Sequence, residues 1–215
     1  MKPLSFSKHP GLALGFLLCL CMLTGGCAAG FGTLGYLIYG EDIDPVCKDK
    51  LKGKVAIVCR APSGAMYQYG DVANPLAQAL QEKIQSKLKK RQKVELISQL
   101  EIRQYRSGVN ASSDFLDIGE AVGADQVIGI DLNQYSHVGG VNLMQGRANV
   151  TVVLLDVKTG DVVYDAAELN EYVFPQNGIS VEEQYEGKFR QMYIQRLANH
   201  ISKVFVPYSR FQTEY

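Results

Sequence analysis

The residue types that usually act as general acids, general bases and metal ligands are sparse in this chain. It has 3 histidines in 215 residues, and the two beyond the N-terminal region are His137 and His200. Asp114 and Asp117 fall in the first turn of a predicted helix, where carboxylates stabilise the positive end of the helix dipole. The nucleophile elbow, the P-loop and the H-E-x-x-H zinc motif are absent. We therefore predict no catalytic residue, no metal site and no cofactor, and we expect a protein that is not an enzyme.

One glycine motif matches a nucleotide-binding fingerprint by letters alone. Gly30-Phe-Gly-Thr-Leu-Gly35 fits the pattern G-x-G-x-x-G. That fingerprint needs a strand before it, a helix after it and an acidic residue about 20 positions further on. In this chain the motif follows an apolar run and precedes Tyr36-Leu-Ile-Tyr39, with no βαβ unit around it. We therefore reject a dinucleotide site.

The charges are unevenly distributed along the chain. Lysine plus arginine and aspartate plus glutamate are both 22, so the formal net charge is zero. This balance is unlike that of a protein that coats nucleic acid, and no nucleic-acid partner is predicted. No Asp, Glu, Lys or Arg lies between His9 and Gly40, whereas Lys2 and Lys8 precede an apolar run over 12–23. This layout is typical of a secretory signal.

The end of the apolar run resembles the signal of a bacterial lipoprotein. Small residues precede a cysteine in Thr24-Gly25-Gly26-Cys27, although that class usually has Leu where this chain has Thr24. The resemblance implies a signal peptide over 1–26, palmitate and other acyl chains on Cys27, and a lipidated or hydrophobic tether with a linker over 27–52. Acyl chains buried in a bilayer would anchor the protein. The location implied is the periplasmic side of the cell envelope, with the outer membrane favoured over the inner.

A single membrane span is the alternative to a cleaved signal. Apolar residues continue past Cys27 to Tyr39, so residues 11–39 are long enough to cross a hydrocarbon core of about 30 Å. Several glycines weaken a continuous helix in this stretch, although membrane helices tolerate glycine. Both alternatives place most of the chain outside the cytoplasm.

Two cysteines remain outside the signal region. In an oxidising compartment Cys47 and Cys59 would be able to form a disulfide. The alternative is that Cys59 is a small buried residue of a strand and Cys47 a free thiol in a loop, because sequence spacing alone does not establish disulfide geometry.

The periodicity of the remaining chain predicts an α/β (α+β) domain with the order β-α-β-α-β-β-β-α. It consists of a mixed sheet of about five strands with helices packed mainly on one face. A Gly/Pro/Ser loop is predicted over 61–73, a turn at Gly139-Gly140 and a hairpin turn at Gly160. The last helix, about 182–205, has an apolar stripe that includes Leu197.

One predicted strand is apolar on both of its faces. Thr151-Val-Val-Leu-Leu-Asp-Val157 reads like a strand buried on two sides. Either a further element or a neighbouring subunit must cover the second face, so Val152 and Val153 are candidate partner-binding residues. Tyr67 and Tyr69 in the 61–73 loop are further candidates, because exposed tyrosine favours interfaces.

The order of three short motifs resembles a group of envelope lipoproteins. The motifs are Val55-Ala-Ile-Val58, Gly119-Glu-Ala-Val-Gly-Ala-Asp125 before Val127-Ile-Gly-Ile130, and Val152-Val-Leu-Leu-Asp-Val-Lys-Thr-Gly160-Asp-Val-Val163. The group contains the curli-secretion channel CsgG, the N-terminal domain of TolB and the ring-forming lipoprotein PelC. The resemblance covers 53–206, followed by a tail over 207–215, and implies an α/β domain that assembles with others at a membrane. The loop from His137 to Gln145 is too short for the long hairpins of the channel-forming members, which favours a scaffold over a pore.

Two functions are compatible with these observations. The first is a non-enzymatic assembly, scaffold or transport accessory lipoprotein, which forms a homo-oligomer or binds an envelope protein. The alternative is an exported small-ligand-binding protein or enzyme that uses the 61–73 region. Convergent polar groups in a pocket there would favour the alternative.

Replacement of Cys27 tests the anchor. Cells supplied with a clickable fatty acid should label the wild-type protein, whereas the Cys27→Ser variant should carry no label, because the acceptor thiol is missing. The measurement is in-gel fluorescence at equal protein load. Equal labelling of both proteins would contradict lipidation, and a mature N-terminus that still begins at Met1 would support the membrane span.

Overall fold

The computed structural model describes residues 42–47, 49–88, 94–109, 111–180, 182 and 185–209. Cys27, the glycine motif at 30–35, the alternative span over 11–39 and the end of the predicted tail lie outside the described residues. Residues 44–208 form one compact unit, and the described residues 42–43 and 209 belong to a second unit. The strands are β1 (Asp42–Ile43), β2 (Gly53–Arg60), β3 (Val94–Leu96), β4 (Gln126–Gly140), β5 (Leu143–Asp156), β6 (Val162–Ser180) and β7 (Tyr208–Ser209). The helices are α1 (Ser63–Tyr69), α2 (Ala73–Lys87), α3 (Gln99–Arg106), α4 (Phe115–Ala121) and α5 (Glu186–Ser202).

Five of the strands form one mixed sheet in the order β3-β2-β4-β5-β6. β2 runs parallel to β3 and to β4, whereas β4, β5 and β6 form an antiparallel meander. The register places Ile57 beside Ile128, and Ile128 beside Leu154. The predicted α/β class and the five-stranded mixed sheet are confirmed.

The two turns of the meander differ in how well the sequence predicted them. Gly160 has a φ of 74°, which is the left-handed conformation predicted for the turn before β6. The turn predicted at Gly139-Gly140 lies two residues later, at Val141 and Asn142, where Asn142 adopts a φ of 55°. Asparagine tolerates this conformation better than most residues. Consequently β4 and β5 are longer than predicted.

The 61–73 region contains a helix that the sequence pattern did not predict. The amide of Met66 donates to the carbonyl of Pro62 over 3.1 Å, which closes the first turn of α1. Gly70 ends the helix with a φ of 69°. The buried methyl group of Ala65 attaches the helix to the core, so tertiary packing stabilises a segment whose Pro and Gly content resembles a loop.

Helices cover both faces of the sheet. α1, α2 and α5 pack on one face, where alternate residues of β2, including Val55 and Ile57, are fully buried. The shorter α3 and α4 pack on the other face against Ala56 and Val58. The longer helices therefore lie mainly on one face, as predicted, but a second apolar layer exists.

This second layer explains the strand that is apolar on both faces. Val152 is fully buried beneath the first face, whereas Val153 is half-buried against the cluster that contains Phe115 of α4. The side chain of Val152 is therefore unavailable to a partner, and the exposed part of Val153 is small. α4 covers the second face at this point, so the apolar run no longer requires a neighbouring subunit.

Both described cysteines are buried free thiols. Cys59 is the second-last residue of β2, and a small buried residue of a strand is one of the two alternatives predicted. Cys47 lies in a turn, where its amide donates to the carbonyl of Val204 over 2.9 Å. Burial raises the pKa of Cys47 to about 11 and also raises the pKa of Cys59. The structure thus contains two protonated, packed thiols and no disulfide between them.

Truncation of Leu197 tests the packing of α5. Its side chain is fully buried, so Leu197→Ala should lower the free energy of unfolding by about 2–5 kcal/mol. Chemical denaturation followed by circular dichroism measures the change. Met192→Ala, at a 37% exposed position of the same helix, is the matched control and should cost much less. Equal losses in the two variants would show that α5 is not docked as described.

Candidate functional site: the distal end of the sheet

The meander extends well beyond the rest of the sheet. β2 ends at Arg60, which pairs with Asp131 of β4, and residues 132–140 continue past that point. At about 3.3 Å per residue this extension is roughly 30 Å long. We call this part of the molecule, with α1 and the first turn of α5 packed against it, the distal end.

A buried histidine joins three elements at the distal end. His137 of β4 has a side chain that is 2% exposed, and its Nε2 lies 2.9 Å from Oε1 of Glu186 in the first turn of α5. Its ring also contacts Tyr69 of α1, with 4.7 Å between ring centroids. His137 therefore links α1, β4 and α5.

Aromatic and charged groups surround this histidine. Tyr135 lies 5.8 Å from His137 and 5.7 Å from Tyr69, measured between ring centroids. Arg190, one turn after Glu186, donates a hydrogen bond to the carbonyl of Asp71. Burial raises the pKa of Tyr135, and the Arg190 charge offsets part of that increase. Glu186 and Arg190 therefore fix α5 to β4 and to the segment before α2, whereas the Tyr135 hydroxyl and Nδ1 of His137 are buried without a hydrogen-bond partner among the described residues.

Burial also sets the protonation of His137. The loss of solvent lowers its pKa below the ordinary 6.5, and the Arg190 charge lowers it further, while the hydrogen bond to Glu186 raises it in part. The imidazole is therefore neutral at pH 7. Because its side chain is closed to solvent, it has no access to a substrate. We assign it a structural role.

The other predicted candidates occupy separate places. His200 lies near the far end of α5, about 20 Å along the helix from Glu186, and its ring stacks on Tyr172. Asp114 caps α4 by accepting from the amide of Leu116 over 2.8 Å, and Asp117 accepts from the hydroxyl of Ser112. These contacts fit the structural roles expected for the two aspartates.

Tyr67 and Tyr69 have different environments although both belong to α1. Tyr67 is 96% exposed, whereas Tyr69 packs inward on Tyr135 and His137. Met66, on the same helix, is 49% exposed. α1 therefore presents two large apolar side chains to solvent and is fixed to the sheet by a third.

Further exposed apolar residues occur in the other segments of the distal end. Val138 follows His137, Val141 is in the β4–β5 turn, Ile179 pairs with Met144 of that hairpin, and Tyr185 precedes Glu186. Each of them is at least 36% exposed. We define the distal surface as Met66, Tyr67, Val138, Val141, Ile179 and Tyr185. Only Tyr67 of this set was predicted from the sequence, because the others lie in separate segments that the long meander and the start of α5 bring to the same end of the domain.

Cavities also occur among the described residues. One, of about 350 Å³, lies beside the 61–73 region and contains Arg60 and Asp131. Arg60 binds both carboxylate oxygens of Asp131 at 2.6 Å and stacks on Phe115, so its charge is already compensated. Another, of about 540 Å³, is a groove between α2 and α5. Within the described residues there is no cluster of three or more potential metal ligands.

None of the described helices is long and apolar enough to cross a membrane. No family model matches the sequence, and no curated protein matches it. Among solved structures, the chain is similar to a PelC dodecamer from Paraburkholderia phytofirmans, at 11% identity over 77% of this chain and 96% of that one, with a TM-score of 0.43. It is also similar to lipoprotein GNA1162 from Neisseria meningitidis, at 11% identity over 72% of this chain and 99% of that one, with a TM-score of 0.40. A third similar structure is the C-terminal domain of LpoB from Salmonella enterica, at 16% identity over 60% of this chain and 87% of that one, with a TM-score of 0.36. No family is assigned on these likenesses, and the resemblance to CsgG and TolB stays a prediction.

The pH dependence of stability tests the environment of His137. Because its pKa is lower in the folded than in the unfolded protein, the unfolded state binds the proton first as pH falls below about 6.5. The free energy of unfolding should therefore decrease with falling pH, by at most about 1.4 kcal/mol for each pH unit. Urea denaturation at pH 7.5, 6.5 and 5.5 measures it.

Two variants serve as comparisons in that titration. His137→Gln keeps an amide that can donate to Glu186 but does not titrate, and it should flatten the decrease in this pH range. In the His200→Gln variant the free energy of unfolding should still decrease as pH falls. A wild-type stability that rises as pH falls would contradict the assignment.

Proposed function

We propose that this chain is a membrane-anchored envelope lipoprotein that acts by binding another protein in assembly, as a scaffold or transport accessory, and not by catalysis. The observation that carries the proposal is the distal surface. Tyr67, Val138, Val141 and the other members of that set are exposed apolar side chains in segments that lie at one end of the domain. Monomeric proteins seldom expose grouped apolar residues without a binding role.

The composition of the distal surface supports protein binding. Tyrosine and methionine, represented by Tyr67, Tyr185 and Met66, are enriched in protein interfaces. The rings of Tyr69, Tyr135 and His137 contact one another and hold α1, which carries Met66 and Tyr67, against β4. A surface fixed by its own packing loses little conformational entropy when it binds.

The position of the distal surface relative to the start of the domain also supports this role. Lys52 donates from its amide to Oε1 of Gln126, the first residue of β4, over 2.8 Å, and Cys47 contacts Val204 beyond the end of α5. The chain therefore enters the domain at the end opposite the distal surface.

The partner proposed is a protein of the envelope or a second copy of this chain. The sequence predicted a second copy because both faces of β5 are apolar. That reason no longer holds, because α4 covers the second face. The distal surface takes its place as the contact region for either partner. Catalysis has no support in the site, since His137 is closed to solvent.

Site-specific photocrosslinking tests the proposal. A benzophenone amino acid is placed at Tyr67 or at Val141, which are both 96% exposed, in the full-length protein within its own cells. Both positions should give the same protein adduct on illumination. Val109, which is fully exposed between α3 and α4, is the matched control position and should not give that adduct.

A second substitution makes the adduct diagnostic. Val138→Asp beside the probe at position 141 should reduce the adduct at least about tenfold, because it places a charge in an apolar contact. If positions 67, 141 and 109 crosslink equally, or if neither distal position crosslinks to protein, the proposed function is wrong.

A further inference from the structure

The outer edge of the sheet on the β6 side has no strand beside it. β6 is the last strand in the order and pairs only with β5 among the described residues. It is 19 residues long, whereas the opposite edge strand, β3, has 3 residues. A strand edge without a neighbouring strand presents backbone N–H and C=O groups that can pair with another extended chain, although the carbonyls of Tyr172 and Val173 already accept from Tyr193 and Gln176.

The core-facing side chains of β6 are only partly covered. Tyr164, Ala166, Leu169 and Phe174 pack against the core but are not buried. Two long cations lie against this flank: Lys50 over the ring of Tyr164 at 5.2 Å, and Arg196 over the ring of Phe174 at 4.2 Å. An added strand would complete the burial of this apolar row.

The opposite face of the same edge is acidic. Asp165 and Glu171 are exposed, and no Lys or Arg occurs between Lys158 and Lys188 in the sequence. Arg147 on β5 approaches Glu171, at 3.9 Å, and Asp165 pairs in register with Val153. Like charges directly opposite one another destabilise strand pairs. Pairing of β6 with β6 of a second copy is therefore unfavourable, because the acidic residues of the two strands would lie opposite one another.

We propose that the outer edge of β6 binds an extended segment of a partner protein in which apolar residues alternate with Lys or Arg. The partner would add a strand to the sheet, with its apolar side chains against Tyr164 and Phe174 and its cations beside Asp165 and Glu171. This inference rests on the proposed function as a partner-binding protein, and it adds a second contact and its chemistry. Pro175, which has no N–H to donate, limits the edge at its distal side.

Peptide binding tests this inference directly. A fluorescein-labelled peptide of eight residues, alternating valine and lysine, is titrated with full-length protein in detergent, and anisotropy is measured. A valine–glutamate peptide of equal length is the matched control. The valine–lysine peptide should bind at least about tenfold more tightly than the valine–glutamate peptide. Side chains of opposite charge on adjacent strands stabilise the strand pair, whereas side chains of like charge destabilise it. Hydrogen exchange should show protection over 162–174 on binding.

Charge reversal on the protein completes the test. Asp165→Lys with Glu171→Lys should weaken binding of the valine–lysine peptide about tenfold and reverse the preference between the two peptides. Glu101→Lys with Glu120→Lys, at exposed positions on α3 and α4, keeps the same change of net charge and should leave both affinities unchanged.

Three outcomes would overturn the inference. The first is an equal loss of affinity for the valine–lysine peptide in the two double variants, and the second is protection from hydrogen exchange outside 162–174. The third is concentration-dependent sedimentation of the wild-type protein that the Asp165→Lys, Glu171→Lys variant abolishes. The last result would identify a second copy as the occupant. The crosslinks from positions 67 and 141 report on the distal surface and not on β6, so failure of the β6 test is distinguishable from failure of the proposed function.

Discussion

The close packing of Tyr193 on Gly146 fixes α5 to the sheet, and the candidate site depends on that position. A Cβ atom at position 146 would overlap the Tyr193 ring, so only glycine allows this approach. The Tyr193 hydroxyl is fully buried and donates to the carbonyl of Tyr172 over 2.9 Å. With α5 held at this point, its first turn brings Glu186 to His137, and the histidine in turn contacts α1. One steric constraint therefore positions all three elements of the distal end.

The sequence predicted the parts of the fold that depend on local patterns. The apolar stripe of α5 and the turn at Gly160 follow from side-chain spacing and from glycine's access to positive φ. α1 was not predicted, because the packing of Ala65 and Tyr69 stabilises it against its own composition. The second apolar layer was missed for a similar reason, since Phe115 reaches Val153 only after the chain has folded.

The candidate site was less predictable than the fold because its members are distant in sequence. Tyr67 was recognisable as an exposed tyrosine, but Val141 and Ile179 become part of the same surface only through the register of the meander. Glu186 gave no signal, because the sequence pattern placed the start of the last helix at about 182 and not at Glu186. Different parts of one domain thus differ in character: the chain enters at one end, exposed apolar side chains lie at the other, and an edge strand with exposed acidic residues runs along the side.

Hydrogen exchange of the protein in a preparation from its own cells tests the central proposal, which is that the distal surface binds a protein. Exchange is compared between the protein in isolated native envelopes and the same protein purified in detergent. A bound partner predicts slower exchange in the envelope over 64–69 and 136–143, and unchanged exchange over 104–109, which flanks the exposed Val109. Identical exchange over all of these segments in the two preparations would contradict the proposal.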